Sequence, residues 1–279
     1  MEKIKIITDS TCDLPKEVIE RYDIEVVPLL VTIDNKTYHD GTGINFSELM
    51  DKIEIHGVLP TTSQINPQRF SEVYKKYLDQ GYKILSIHLS SKMSGTVQSA
   101  GIAKDILETE DIEIIDSQNV TSGLGVLVLR AANLRDQGMS IHEIKESVEK
   151  LRHKVKSSLM FDKLDNLIKG GRLSKTAGTI GAVLNIKLIL EVLEGEMSVK
   201  EKVRGTKKAI KSIITDLDKC EVLEGTEVIL LSAGANPEAY DALKANLEDN
   251  NISYIESEAG CVVGTHSGDG ACGYFFIEK

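Results

Sequence analysis

Short apolar runs alternate with helix-period segments through the first half of the chain, and that alternation restricts the fold more than any other feature. "KIKIIT" at Lys3 to Thr8 precedes "DLPKEVIERY", "YKILSIHL" at Tyr82 to Leu89 precedes "GTVQSAGIAKDIL", and "IEIID" at Ile112 to Asp116 precedes "SGLGVLVLRAANLRDQG". Strand-length runs separated by helix-length segments are the rhythm of a parallel α/β sheet covered by helices, because parallel neighbours need a crossover connection. Ligands of such open sheets sit beyond the carboxyl ends of the strands. Those ends carry hydroxyl or acidic residues: Thr8 to Thr11, Ser90 and Ser91, Asp116 and Ser117. They are expected to share one crevice.

Two clusters of small hydroxyl residues, "PTTSQINPQRF" at Pro60 to Phe70 and "ILSIHLSSKMSGTVQSA" at Ile84 to Ala100, each read as following a strand-like run and preceding a helix. A helix start is an anion site, since its first amides lack intrahelical partners and the helix dipole favours negative charge. This pattern points to holding a carboxylate or phosphate more than to acid–base chemistry. Asn66 before Pro67 reads as an N-cap with proline at the first helical position, and Ser140 with Glu143 as a capping box.

The rhythm changes near Lys154 to Ser158. After it come an amphipathic "DKLDNLIKGGRLSK", a glycine-spaced apolar run from Ala177 to Leu190, a hairpin-like "LILEVLEGEMSVKEKVR" with Glu194 and Gly195 at its turn, and two helix and strand pairs. We therefore expect an N-terminal α/β domain over 1–156 and an α+β domain over 157–279. A chain of 279 residues with 41% hydrophobic residues can fill two such cores.

Charge and cysteines narrow the partners. A net charge of -10 opposes nucleic acid and anionic membrane surfaces unless a local basic patch exists. Cys12, Cys220, Cys261 and Cys272 show no CxxC spacing and no histidines at metal-site intervals, so reduced thiols are expected and no metal or cofactor is implied. No stretch approaches the ~18 uninterrupted apolar residues of a membrane span, and the N-terminus lacks a cleavage site. The expectation is a cytoplasmic protein, neither exported nor inserted in a membrane.

Catalytic patterns are near misses. "GGRLSKT" at Gly170 to Thr176 lacks the glycine that precedes the lysine of a phosphate-binding P-loop, and "GLGVLV" at Gly123 lacks the third glycine of a dinucleotide fingerprint. No serine sits in a GxSxG elbow. His88 lies inside an apolar strand, where a satisfied core histidine is the default. His266 lies in a glycine-rich stretch, "GTHSGDG", read as a loop in which ligand contact and ordinary structure are both open.

"ITDSTCDLP" at Ile7 to Pro15, "TSQ" at Thr62 to Gln64, "LSSKMSGT" at Leu89 to Thr96, "IDS" at Ile115 to Ser117, "GGRLS" at Gly170 to Ser174 and "GTHSGDGACG" at Gly264 to Gly273 occur in order along the chain. Together they resemble the DegV family of bacterial fatty-acid-binding proteins. The resemblance implies a two-domain protein that holds a long-chain fatty acid with its carboxylate near the domain interface and its acyl tail in the second domain. FakB-like members present that acid to a separate fatty acid kinase, which makes acyl phosphate for phospholipid synthesis. Carried over by motif, the carboxylate site falls on Thr62, Ser94, Gly95 and His266, and the partner or phosphate arginines on Arg172 and Arg204. The glycine-spaced run becomes the candidate tail lining, through Ile180, Val183 and Leu184. No residue takes a catalytic role.

Two departures stand out: Ile65 replaces the usual proline after "TSQ", and Asp269 and Cys272 alter the "GTH" segment, Asp269 placing a negative charge near the proposed head group. Other readings remain open. Thr62 and Ser94 also read as turn and helix caps, Arg172 and Arg204 as solvated cations, the glycine-spaced run as helix packing, and Ser94 with His266 as the core of a small-molecule hydrolase.

Overall fold

The computed structural model describes residues 2–173 and 185–279. The expected parallel sheet is present. Its strands are β1 (Ile4–Asp9), β2 (Glu25–Val27), β6 (Lys83–His88) and β7 (Ile112–Asp116), in the order β2-β1-β6-β7 with every pair parallel. Every residue of β1 is buried, as a parallel strand covered on both faces must be. Successive side chains go to opposite faces: Ile4 and Ile6 join a core with α5 (Ser122–Asp136) and α6 (Ile141–Leu151), whereas Ile7 joins one with α3 (Pro67–Leu78) and α4 (Thr96–Leu107). The helix starts follow their signals. Asn66 accepts from the Arg69 N–H with Pro67 in the first turn, and Ser140 and Glu143 form both bonds of a capping box.

A second, mixed sheet holds β8 (Val155–Phe161), β9 (Ile186–Leu193), β10 (Glu196–Arg204), β11 (Val228–Ala233), β12 (Tyr254–Glu258) and β13 (Ala271–Ile277), in the order β10-β9-β8-β13-β11-β12. Glu194 and Gly195 turn β9 into β10 with φ of 49° and 85°, the positive pair that a tight two-residue hairpin requires. β13 is apolar throughout because it is covered twice. Phe275 and Ile277 share the core of α5, while Tyr274 and Phe276 pack with α8 (Thr206–Asp218) and α9 (Pro237–Asp249). α5 contacts β1 and β6 of the first sheet and β8, β11 and β13 of the second. A helix between two sheets is apolar all round, which accounts for "GLGVLVLRAA" without a polar stripe.

Two segments differ from expectation. Thr61–Ser63 is not a loop after a strand but a strand itself, β5, which joins β3 (Leu30–Ile33) and β4 (Lys36–His39) in a small antiparallel sheet ordered β4-β3-β5. The element before it is a helix, α2 (Phe46–His56). The stretch around His266 is also no loop, since Cys261–Ser267 forms α10. The remaining helices are α1 (Lys16–Arg21) and α7 (Asp165–Lys169).

Candidate functional site

The two sheets enclose an apolar cavity of about 200 Å³. Its wall is supplied by strand faces: Leu159 and Phe161 of β8, Leu231 and Ala233 of β11, and Met197 of β10, with Leu89, Val120 and Val262 from the first sheet's side. Residues two apart on one strand share a face, so these pairs line the cavity together. None of these far-wall residues was singled out from the sequence, because an apolar strand residue facing a cavity carries the same local pattern as one facing a core. Ile180, Val183 and Leu184, the expected tail lining, lie outside the described residues.

The polar end of the cavity gathers Thr62, Ser94, Gly95, Arg172 and His266 from four separate segments. Thr62 stands on β5, in register with Val31 of β3. His266 occupies the last turn of α10, and its Nε2 is 3.0 Å from Thr62 Oγ1. α10 is set in place from a distance. Asp40 accepts from the Cys261 N–H at 2.7 Å and Asp13 from the Gly260 N–H at 2.8 Å, so two buried carboxylates hold the helix start. Burial raises the pKa of both carboxyl groups.

His266 is neutral at ordinary pH. Burial, assisted by the nearby Arg172 charge, lowers its pKa to about 4. With the proton on Nε2, the imidazole donates to Thr62 Oγ1 and leaves the hydroxyl's own proton free to enter the cavity. An anion there favours that tautomer. Ser94 is arranged in the same way, because its Oγ receives the Thr96 N–H at 3.3 Å and lies 2.9 Å from Thr96 Oγ1. Among the described residues nothing accepts from the Gly95 N–H. Gly95 must also lack a side chain, as a Cβ there would stand 2.1 Å from Gln64 Oε1. The Gln64 amide is fixed by its bond to Ser99 Oγ at 2.9 Å. Two hydroxyls and one backbone amide thus converge on the polar end of the cavity, with the Arg172 guanidinium beside them.

Arg172 is not a solvated surface cation. Its guanidinium donates to the Met93 carbonyl through Nε at 3.2 Å and Nη2 at 2.9 Å, and to the Gly170 carbonyl through Nη1 at 2.6 Å. No carboxylate of the described residues neutralises it. Arg204, at the end of β10, is exposed and is not among the residues lining the cavity. The structure therefore brings Arg172 to the site and leaves Arg204 away from it.

Further expectations are corrected. Of the strand-end hydroxyls, Thr11 lines the cavity, whereas Ser90 donates to the Gly195 carbonyl and Ser117 to the Asn119 carbonyl, both fully buried. The strand ends are used for docking the β9–β10 turn as much as for a ligand. Asp269 does not face the head-group site; its Oδ1 accepts from the Ala235 N–H at 2.9 Å and ties the chain after α10 to the β11–α9 connection. Cys272 is a buried, unpaired thiol inside β13. Ser94 and His266 share no hydrogen bond; each has a different hydroxyl partner.

Among the described residues no helix is long and apolar enough to cross a membrane, and no cluster of histidine, cysteine or acidic side chains is arranged to hold a metal.

Known proteins resemble the chain over its whole length. A family model described as an uncharacterised protein of the DegV family matches residues 3–279. A DegV domain-containing protein of Clostridium acetobutylicum is 56% identical over 280 residues, covering 100% of both chains. A fatty-acid-binding DegV family protein of Thermus thermophilus superimposes with a TM-score of 0.90 at 29% identity, over 99% of this chain and 100% of its own. DegV of Bacillus subtilis, described as a fatty acid binding protein, gives 0.86 at 32% identity over 100% of both. On the family match along the whole sequence and the fold shared with these structures, the chain belongs to the DegV family.

Proposed function

We propose that this protein binds one long-chain fatty acid, such as palmitate, and carries it for presentation to a fatty acid kinase that forms acyl phosphate for phospholipid synthesis. In this reading the carboxylate rests on Thr62, Ser94 and the Gly95 N–H, with His266 behind Thr62, and the tail fills the apolar cavity. The expected division into domains over 1–156 and 157–279 is kept in this reading with its boundary moved to the start of β8, since Val155 and Lys156 already pair with Ile277 and Phe276 of β13.

One observation carries the reading: an apolar cavity ends in two hydroxyls, Thr62 Oγ1 at hydrogen-bond distance from His266 Nε2 and Ser94 Oγ accepting from the Thr96 N–H. Each charge-assisted bond contributes about 1.5 to 3 kcal/mol. Tail burial contributes ~0.8 kcal/mol per methylene, on the order of 12 kcal/mol for about sixteen carbons before the cost of association. The polar end sets orientation and the tail sets retention. The binding of fatty acids by the Thermus thermophilus and Bacillus subtilis proteins supports the same ligand class.

Mass spectrometry of an organic extract of the purified protein tests this directly. The expected result is a long-chain fatty acid near one per chain; a phosphorylated sugar or nucleotide with no lipid would overturn the reading. Thr62→Ala and Ser94→Ala should each weaken binding about tenfold, the loss of one bond to a carboxylate. Adding the cognate kinase and ATP to the loaded protein tests presentation, and absence of acyl phosphate refutes it.

A further inference from the structure

The strands that enclose the apolar cavity are not equally fixed. β8 and β11 are flanked by partner strands on both sides, whereas β10, which supplies Met197, is the edge of its sheet. β10 is joined to that sheet through β9 alone, and β9 pairs with β8 only at Leu188, Ile189 and Leu190. Beyond Leu190 the two strands run on as an arm that closes at Glu194 and Gly195. The ladder is irregular where the arm leaves the sheet: Val199 pairs with Leu190 and Glu201 with Ile189, so Lys200 is an extra residue. Such a bulge bends the strand that carries it. Lys200 is itself pinned to Asp216 of α8 at 2.9 Å, which fixes the base of the arm. Val192 and Met197 face each other across the arm and belong to the core, while Leu193, Glu194 and Glu196 are exposed.

Outside the ladders, two hydrogen bonds among the described residues hold the arm down. Midway along it the Val192 N–H donates to Ser157 Oγ at 2.8 Å, and at its tip the Gly195 carbonyl accepts from Ser90 Oγ at 2.7 Å. Ser90 follows β6 of the other sheet and is 0% exposed. It also organises the head-group turn: its carbonyl accepts from the Met93 and Ser94 N–H groups at 2.9 and 3.1 Å, and its Oγ from the Lys92 N–H at 3.2 Å. One residue therefore bears on the turn that presents Ser94 and Gly95 and, through the arm, on Met197. We propose that the β9–β10 arm is a flap over the acyl tail, hinged at Lys200 and latched by Ser90, and that the fatty acid enters and leaves when the latch opens. This rests on the fatty-acid reading above and adds the route of exchange. The polar end offers a poorer exit, because Thr62 meets His266 there and Arg172 ties the Met93 and Gly170 carbonyls together. Ser90 is then a positioning residue: a carboxylate at Ser94 and Gly95 steadies the turn that carries the latch, so the loaded protein keeps its flap closed.

A removable staple tests the flap. A Cβ at position 195 would stand 3.6 Å from Gln118 Cβ, within the range of a disulfide, and 2.5 Å from Ser90 Oγ. Gln118→Cys and Gly195→Cys are therefore built into Ser90→Ala, which removes both the clash and the latch, with Cys220→Ser so that the remaining native thiols are the buried Cys12, Cys261 and Cys272. Position 195 has a φ of 85°, and the reduced form carries the same strain, which makes it the control. In the full-length protein Ser90→Ala alone should speed release of radiolabelled palmitate about tenfold, the loss of one buried hydrogen bond. The cysteine variant should be as fast when reduced; when oxidised, its uptake and release should both slow by about tenfold or more, and dithiothreitol should restore them. A general loss of stability would not respond to oxidant in this way. Should Ser90→Ala not fold, the same cysteine pair with Ser90 retained gives the same redox comparison. Equal exchange rates in the oxidised and reduced forms overturn the flap and place the exit at the polar end. Failure of the disulfide to form overturns it also, since the tip then does not lie where the latch requires. Failure of the wild-type protein to bind palmitate instead overturns the reading beneath.

Discussion

Gly170→Ala is the sharpest probe of how the head-group site is held. A Cβ at position 170 would stand 2.3 Å from His266 Nδ1, 2.9 Å from His266 Cε1 and 2.9 Å from the Asn166 carbonyl oxygen. Ordinary contact begins near 3.4 Å, so the imidazole must shift by about 1 Å, and the backbone oxygen on the other side denies the methyl an escape. A shift of that size takes Nε2 out of the range of a hydrogen bond to Thr62, now 3.0 Å long. Thr62 then loses the imidazole partner that orients its hydroxyl. The overpacking should destabilise the fold by about 1 to 3 kcal/mol. Loss of the oriented hydroxyl should weaken fatty-acid binding by about 1 to 2 kcal/mol, roughly tenfold. Denaturant unfolding and displacement of a fluorescent fatty acid measure the two effects. The decisive comparison is a double-mutant cycle with His266→Ala, which removes the ring that the methyl strikes. In that background Gly170→Ala should lose most of its effect on binding and much of its effect on stability. An identical penalty in both backgrounds, or unchanged affinity in the single variant, would refute the steric argument.

The lowered pKa of His266 makes stability depend on pH with a defined sign: between an unfolded value of about 6.5 and the folded value of about 4, the unfolded chain binds the proton that the folded one excludes. The stability difference between wild type and His266→Gln should be constant above about pH 6.5 and shrink as pH falls towards 4; a flat difference across that window contradicts burial of a neutral ring. Asp269→Ala removes the acceptor for the Ala235 N–H and should lower stability by about 1 kcal/mol while leaving palmitate affinity intact, and a large loss of affinity would return Asp269 to the head-group site. Ala271→Leu fills the cavity wall and should discriminate by chain length, weakening long acids more than acids about three carbons shorter; uniform weakening would mean that the tail does not reach this wall.

The elements that could be read from the sequence are those whose determinants are local. β1, β6 and β7 announce themselves by apolar runs, α3 and α6 by their caps, and the β9–β10 turn by Glu194 and Gly195. β5 has three residues and no apolar signature; it exists because β3 offers an edge to Thr61–Ser63. α10 is the more instructive failure. "CVVGTHS" has β-branched residues and a glycine in a seven-residue helix, a poor helix by its own propensities. Its start is satisfied by Asp13 and Asp40, more than 200 positions earlier in the chain, and Gly264 is required because a Cβ there would stand 2.5 Å from Phe46 of α2. Local reading cannot see a cap supplied across the fold. The same holds for the site: the residue types Thr62, Ser94, Arg172 and His266 were legible through motif resemblance, whereas the bond from His266 to Thr62, the carbonyl grip on Arg172 and the shield that Gly170 places over the imidazole exist only in three dimensions.

Two hydroxyl–imidazole pairs occur among the described residues, and burial separates their roles. Asp9, His88 and Ser86 stand in the order carboxylate, imidazole, hydroxyl, with His88 Nδ1 3.0 Å from Asp9 and Nε2 2.7 Å from Ser86, the sequence of contacts found in acyl-transfer triads. All three are 0% exposed, and Ser86 Oγ is closed off by the Tyr74 hydroxyl at 2.7 Å. No substrate reaches that serine. The network instead satisfies buried polar groups and locks the ends of β1 and β6, since Asp9 also accepts from the Leu89 and Thr11 N–H groups. That lock fixes the start of the connection carrying Ser94 and Gly95. His266 and Thr62 reverse the arrangement: they line a cavity, the ring has a hydroxyl partner on one side and glycine on the other, and no described carboxylate bonds to it. An imidazole without a carboxylate behind it and with its pKa pressed to about 4 is poorly suited to take a proton near neutral pH, and well suited to hold a hydroxyl as a donor. The histidine that lines the cavity thus lacks the partners of a general base, and the one with triad-like partners serves the frame that carries Ser94 and Gly95.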